Sequence, residues 1–139
     1  MSNLVEKSLI IGFGVFSLII FLSVITPLLN ISLKNYLDDK KTIENYNDFV
    51  DKVDAGICYV IANPRDEFQE LIDFPPFLNI SIFKNEISYN FKIDSDIISK
   101  HKLYSINFFS AEYKEYISQE YSLQIYFEFE FLKVLFIPQ

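Results

Sequence analysis

One charge-free stretch near the N-terminus limits what this 139-residue chain can fold into. Residues 8–33 read SLIIGFGVFSLIIFLSVITPLLNISL, and no charged side chain occurs between Lys7 and Lys34. Fifteen positions within residues 9–29 are Leu, Ile, Val or Phe, and a helix of about 20 apolar residues crosses a bilayer. Each of those side chains favours insertion by roughly 0.3 to 0.6 kcal/mol near the bilayer centre. The sequence therefore predicts an N-terminal transmembrane anchor over residues 1–33.

Two alternatives to a retained single-span anchor are a cleaved signal peptide and a pair of packed core helices. A signal peptide has an apolar core of about 7–15 residues before a small-residue cleavage site, whereas this run is longer and no such site follows it. Gly12, Gly14 and Ser17 place small residues near one face of the first half, where another membrane helix could approach closely. Pro27 is expected to kink the helix or to mark its exit from the bilayer.

The orientation of the anchor depends on two opposing signals. Lysine is more frequent after the span than before it, which favours a cytoplasmic C-terminal side. Long domains, however, are translocated largely regardless of charge. The sequence Asn79-Ile80-Ser81 is an N-glycosylation sequon, so Asn79 is a possible glycosylation site and suits an outside domain. We therefore expect a single-pass membrane protein whose C-terminal domain is extracytoplasmic.

Residues 34–62 have the pattern of an amphipathic stalk helix. Apolar side chains recur at spacings of three, four and seven residues and are separated by acidic and lysine residues. We call this set the stripe; it consists of Ile43, Tyr46, Val50, Val53, Ile57 and Val60. The stripe is predicted to pack against this protein's own sheet, with a coiled-coil seam to another chain as the alternative. Residues 56–61 would also suit a buried strand.

Residues 63–139 are predicted to form a small antiparallel β domain, which makes the fold class α+β. Asn63 and Pro64 resemble the start of a short helix over residues 65–72. Alternating apolar residues then predict a hairpin over residues 78–93, a polar loop or helical turn from Asp94 to Lys102, and a strand over residues 103–109. Residues 121–137 form a last strand or strand pair, placed centrally, in which Phe129 and Phe131 face inward until the parity changes at Leu132.

No catalytic, cofactor or metal site is predicted. The formal charge of −7 argues against a nucleic-acid partner, and three glycines cannot build a phosphate-binding loop. His101 lies between two lysines and is expected to be a solvated loop residue. Cys58, the one cysteine, is flanked by apolar residues and is expected to be a buried, inert thiol. Glu128 and Glu130 share one face of a strand and are expected to be solvated.

The overall order of segments resembles type IV pilin-like proteins, and archaeal pilin-like and archaellum-accessory membrane proteins look closest. The resemblance rests on Glu6 and Lys7 before the apolar run, Pro27 late in it, the stripe, and the strands over residues 78–93 and 103–137. It implies a lipid bilayer and other membrane or filament subunits, contacted through the N-terminal helix, as partners. Because Lys7 is followed by Ser8 rather than by Gly or Ala, it implies an accessory component rather than a processed major subunit.

These observations favour a membrane-anchored, non-enzymatic structural or interaction component of a pilus-like or cell-envelope assembly. The alternative is a membrane-tethered binding module that presents an aromatic sheet to a peptide or small ligand. A concave aromatic pocket would favour that alternative. A membrane-anchored enzyme is a third hypothesis, and it would require a buried cluster of titrating groups.

Overall fold

The computed structural model describes residues 2–93, 96–114 and 119–139, and the side chains of all of these except Ser2. The chain forms two compact units, residues 1–40 and residues 41–139. One α-helix is followed by seven β-strands: α1 (Ser2–Ala62), β1 (Phe68–Phe74), β2 (Leu78–Phe83), β3 (Glu86–Ile93), β4 (Asp96–Leu103), β5 (Ala111–Tyr113), β6 (Gln119–Glu128) and β7 (Phe131–Pro138). The fold is therefore α+β, as the sequence predicts.

The helix α1 includes both the apolar run and the amphipathic segment. It continues through Pro27, and residues 56–61 are helical rather than a strand. The helix ends where Asn63 follows it. The Asn63 backbone N–H and its side-chain Nδ2 both donate to the Tyr59 carbonyl, each at 2.9 Å. Asn63 thus closes the C-terminus of the long helix instead of starting a new one.

The short helix predicted over residues 65–72 is wrong, because most of this segment belongs to β1. Strand β1 pairs antiparallel with β6, from Phe68 opposite Ile125 to Phe74 opposite Gln119. Its side chains alternate, so that Ile72 and Phe74 are buried while Leu71 is exposed. Pairing with a strand about fifty residues later outweighs the local helix-start signal.

The strands form two antiparallel sheets. The first has the order β1-β6-β7 and the second has the order β4-β3-β2-β5. The predicted hairpin over residues 78–93 is present as β2 and β3, joined by a two-residue turn in which Lys84 has a positive φ of 52°. A parallel bridge joins Phe108, in the segment between β4 and β5, to Leu132 of β7. Buried side chains come from strands of both sheets and from α1.

Two predictions in the middle of the chain are wrong. Residues 96–103 form strand β4 on the outer side of β3, where a polar loop or helical turn was expected. Of the strand predicted over residues 103–109, Leu103 ends β4, and residues 104–109 are irregular, held by hydrogen bonds from Tyr104 N–H to Asn85 O and from Phe108 N–H to Lys84 O. The polar residues of β4 suit an edge strand. Because β4 lacks a regular alternation of apolar and polar residues, the sequence does not indicate a strand there. Asp94 and Ser95 lie outside the described residues.

The last segment is a strand pair with β6 in the centre of its sheet, as predicted. The change in parity comes from a two-residue turn at Phe129 and Glu130, with a Phe129 φ of 57°. Phe129 is therefore 92% exposed rather than inward, and Phe131 is also exposed. The run contains no Gly or Asn to mark the turn, which is why alternation alone places these two rings incorrectly.

The hydrophobic core joins the C-terminal part of α1 to both sheets. Among the residues that the structure describes, every buried hydrophobic side chain lies between Tyr46 and Phe136. Tyr46 stacks on Phe91 of β3, with ring centroids 4.3 Å apart. Phe49 contacts Phe74 of β1 edge-on, with centroids 5.2 Å apart. The same face of α1 thus contacts the second sheet through Tyr46 and the first sheet through Phe49.

Candidate functional site

The first candidate site is the surface of α1 within residues 1–40. Nearly all large apolar side chains between Leu4 and Leu33 are 50–76% exposed, the exception being the half-buried Ile25. This is the one helix of the described chain that is long and apolar enough to cross a membrane. No part of its most apolar stretch of 18 residues is buried. Ser23 satisfies its hydroxyl inside the helix by donating to the Ile19 carbonyl at 2.7 Å. Such an extended apolar surface far exceeds what soluble monomers expose.

The small residues predicted to mediate helix association lie on this open surface. A Cβ atom added at Gly12 or at Gly14 would meet no atom within 4 Å, and Ser17 is exposed. No described part of the chain therefore covers these positions. A second helix could approach the backbone here without displacing any side chain of this chain.

The stripe lies in residues 41–139, where five of its six members are buried in the core: Tyr46, Val50, Val53, Ile57 and Val60. Ile43 is 36% exposed and lies outside the core, one turn before the first buried residue. Phe49, which the seven-residue spacing does not select, is buried instead. The sheet-facing surface of the helix therefore begins at Tyr46 rather than at Ile43.

A polar cluster around Asp54 interrupts this apolar contact. Tyr104 Oη donates to Asp54 Oδ1 at 2.7 Å, and Lys102 Nζ lies 3.2 Å from Asp54 Oδ2. Burial, and then the hydrogen bond to Asp54, raise the pKa of Tyr104 well above the ordinary tyrosine value. Ionisation of Tyr104 would break this contact, because a phenolate cannot donate to a carboxylate. The cluster therefore holds the helix against β4 and the segment that follows it at neutral pH.

Tyr89 is the second unusual tyrosine of this region. Its hydroxyl is buried and has no hydrogen-bond partner within the part of the chain that the structure describes. Burial, and then the charge of Asp54, raise its pKa. A tyrosine that stays protonated across the physiological range cannot act as a general base.

Cys58, predicted to be buried, is exposed on the outer side of the helix, because the core-facing positions there are Ile57 and Val60.

Glu86, Ser88 and His101 form a constellation that the sequence does not reveal. His101 Nδ1 lies 2.6 Å from Glu86 Oε1 and 3.0 Å from Ser88 Oγ, and Ser88 Oγ donates to Glu86 Oε1 at 3.1 Å. The hydrogen bond from His101, followed by that from Ser88, lowers the pKa of the Glu86 carboxyl. Only the pairing of Ser88 with His101 across β3 and β4 brings them together, and His101 is on a strand rather than in a loop.

This constellation has the residue types of a nucleophilic triad without its geometry. A triad places the carboxylate on one imidazole nitrogen and the serine on the other, so that the ring relays a proton. Here Glu86 and Ser88 share the same nitrogen, and the site is open on a sheet surface, with His101 57% exposed, Glu86 40% exposed and Ser88 half-buried. The arrangement binds two neighbouring strands together and does not activate Ser88.

The remaining candidates are a cleft, a sequon and the two glutamates of the last strand pair. A cleft of about 600 Å³ lies between α1 and the end of β1, and its lining is mixed polar and aromatic: Thr42, Asn45, Tyr46, Asp48, Phe49, Lys52, Ile72, Asp73, Phe74, Pro75, Pro76 and Gln119. Asn79 lies on β2 opposite Asn90 and is half-buried. Glu128 pairs with Lys133 at 2.9 Å, and Glu130 is exposed in the turn.

Among residues 2–93, 96–114 and 119–139, no three His, Cys, Asp or Glu side chains are grouped so that they could hold a metal ion. Comparison with protein-family models, with curated proteins and with solved structures finds no match.

Proposed function

We propose that this chain is a non-enzymatic, single-pass membrane protein that acts as a structural or interaction component of a pilus-like or other cell-envelope assembly. The observation that carries the proposal is the contrast within one helix. Its first 33 residues expose nearly every large apolar side chain, whereas the same helix contributes Tyr46 to Val60 to the core of an α+β domain.

Membrane insertion is supported by the lack of any other cover for that surface. Fifteen apolar side chains at roughly 0.3 to 0.6 kcal/mol each contribute about 5–9 kcal/mol to insertion. The core described for residues 41–139 is built without these side chains. Lipid, or lipid together with other helices, is the solvent that this surface fits.

A role in assembly is supported by the two uses of the long helix. Gly12 and Gly14 leave the helix backbone open to a neighbour, as is typical of associating membrane helices. The order of an apolar helix, an amphipathic helix and antiparallel strands packed on it is the order of pilin-like subunits, which is the resemblance noted above. An accessory rather than a major subunit is proposed, because Ser8 follows Lys7.

The anchor is tested by extracting membranes with alkaline carbonate. The native chain should stay in the pellet. The double substitution Ile19→Lys/Ile20→Lys should release it, because two charges near the bilayer centre cost about 5–7 kcal/mol. The matched control is Tyr36→Lys/Leu37→Lys, which adds the same charges outside the predicted span and should leave the chain in the pellet. A native chain released by carbonate would refute the anchor.

The side of the membrane is tested with Cys58, the one cysteine of the chain, which is exposed. A membrane-impermeant maleimide should label Cys58 in intact cells, and the variant Cys58→Ala should show no labelling. Labelling that requires permeabilised cells would place the domain in the cytoplasm.

The assembly role is tested by mild-detergent extraction of native membranes, followed by native electrophoresis and mass spectrometry of the co-purifying proteins. We expect the chain in a complex with other membrane or envelope subunits. A chain that runs alone as a monomer would contradict the role in assembly, even if the carbonate and labelling results are as expected.

A further inference from the structure

Strands β1 and β4 are edge strands, one in each of the two sheets. Strand β1 is the first strand of the order β1-β6-β7, and β4 is the first strand of the order β4-β3-β2-β5. Within the described residues, neither strand has a ladder partner on its outer side. Such an edge presents backbone N–H and C=O groups that can pair with another strand. The two edges are similar in length, with seven residues in β1 and eight in β4.

The two edges differ in charge. Strand β1 has the sequence FQELIDF, with Glu70 and Asp73 and no basic residue. Strand β4 has the sequence DIISKHKL, with Lys100, His101 and Lys102 after the single acidic residue Asp96. A pair of β1 edges or a pair of β4 edges would place like charges opposite each other, which is destabilising. A β1 edge against a β4 edge places opposite charges together.

The opposite charges of these strands lie on their helix-side faces. Glu70 on β1 lies 4.0 Å from Lys52 of the helix, and Lys102 on β4 lies 3.2 Å from Asp54 of the helix, so both project toward the helix side. On the outward faces, apolar side chains are left open. Leu71 of β1 is 55% exposed, and Ile97 and Leu103 of β4 are 72% and 73% exposed.

We propose that β1 of one copy pairs antiparallel with β4 of a second copy of this chain. This inference rests on the proposed role in an assembly and specifies the surface through which copies associate. An antiparallel register that keeps the two helix-side faces together brings Glu70 opposite Lys100 or Lys102. The outward faces then bring Leu71 beside Ser99 or His101. Because the two edges differ, the contact is heterologous and repeats from copy to copy, which forms rings or open filaments.

The pairing is tested by cross-linking two different cysteine variants of the full-length chain, both in the Cys58→Ser background. One variant carries Leu71→Cys on β1, and the other carries Ser99→Cys on β4. Each is reconstituted into lipid vesicles alone and in an equal mixture, and treated with a short bismaleimide that spans a direct or a diagonal cross-strand pair. The mixture should give a covalent dimer at several times the yield of either variant alone.

A charge reversal on the edge separates specific pairing from chance collisions. Glu70→Lys, added to the Leu71→Cys chain, should lower the dimer yield in the mixture by about threefold or more, because an opposite-charge pair becomes a like-charge pair. Loss of the 4.0 Å contact with Lys52 should cost little stability, since both side chains are about half exposed. Asp51→Lys makes the same charge change on the exposed helix surface and should leave the yield unchanged.

Circular dichroism and the melting temperature of each variant, compared with the Cys58→Ser parent, establish that the variants are folded. If Ser99→Cys does not fold, His101→Cys takes its place. Dimers formed equally by each variant alone, or no dimer in the mixture, would overturn the pairing. A chain that still migrates in a larger native complex would then retain its proposed function, whereas a monomeric chain would refute both.

Discussion

Asp54 is the residue on which the polar part of the helix–sheet contact depends. It lies on the side of α1 that packs on the sheets, between Val53 and Ile57 of the stripe. One oxygen accepts from Tyr104 and the other pairs with Lys102. A partly buried carboxylate is tolerable only with such partners. The two contacts hold β4 and the irregular segment after it against the helix.

Replacement of Tyr104 by Phe should lower the free energy of unfolding by about 1 kcal/mol at neutral pH, because Asp54 loses one hydrogen bond. The same change should alter the pH dependence. Since the pKa of Tyr104 is raised in the folded chain, its contribution is complete below the ordinary tyrosine pKa of about 10 and declines as pH rises above it. Denaturant unfolding of the detergent-solubilised chain between pH 7 and 11 measures both effects.

The control for this prediction is Tyr36→Phe, which removes the hydroxyl of an exposed tyrosine outside the domain. It should change neither the stability nor its decline at alkaline pH. If Tyr104→Phe behaves like Tyr36→Phe, the Asp54 cluster is not a stabilising contact.

At the scale of elements, Gly56 lies where α1 packs tightly against the first sheet. A Cβ atom at this position would lie 2.7 Å from two ring atoms of Phe68 and 2.8 Å from Cδ1 of Ile125. Ile125 is completely buried in the central strand β6, so its side chain has little room to move. The glycine, which is unfavourable for helix formation, is thus required by packing rather than by backbone conformation.

Gly56→Ala is expected to destabilise the domain by about 1 kcal/mol, because overpacking of about 1–3 kcal/mol exceeds the helix-propensity gain of about 1 kcal/mol. Thermal and denaturant unfolding measure the change. In the background of Phe68→Leu, which shortens the obstructing side chain, the penalty for Ala should shrink or reverse sign. Gly14→Ala, where nothing lies within 4 Å of the added atom, should leave the unfolding of the domain unchanged. An equal penalty in both backgrounds would contradict this explanation.

The sequence predicts some of these elements and not others. The helix and the hairpin of β2 and β3 carry strong periodic patterns, and their contacts are local. Strand β1 pairs with β6, about fifty residues later in the chain, which no local pattern identifies. Strand β4 pairs with the preceding strand β3, but its polar sequence lacks the apolar alternation that identifies a half-buried strand. His101 illustrates the consequence for sites: its contacts with Glu86 and Ser88 follow from strand register, which no spacing along the chain discloses.

At the scale of the whole molecule, the apolar residues divide into two populations. Those from Leu4 to Leu33 are exposed, apart from the half-buried Ile25, whereas the buried hydrophobic residues that the structure describes all lie at Tyr46 or later. The compact unit of residues 41–139 therefore has a complete core of its own. Nothing in that core is supplied by the predicted anchor.

This division predicts that residues 41–139 fold when expressed alone. The fragment should remain in solution without detergent and unfold cooperatively, because it retains every buried core residue and lacks the exposed apolar surface. Its melting temperature should lie within a few degrees of that of the domain in the full-length chain. Size-exclusion chromatography and circular dichroism without detergent make the measurement, with the full-length chain expected to require detergent.

A shorter fragment provides the matched control for this prediction. Residues 51–139 lack Tyr46, Phe49 and Val50, all of which are buried. Loss of a buried aromatic side chain costs about 3–5 kcal/mol, and small domains have only about 5–15 kcal/mol of net stability. The shorter fragment should therefore be largely unfolded. Because the two fragments differ by only ten residues, a difference between them would locate the folding requirement in the start of the buried helix face. If the longer fragment also fails to fold, the domain depends on residues 1–40, and the division of the helix into an anchor and a core element is wrong.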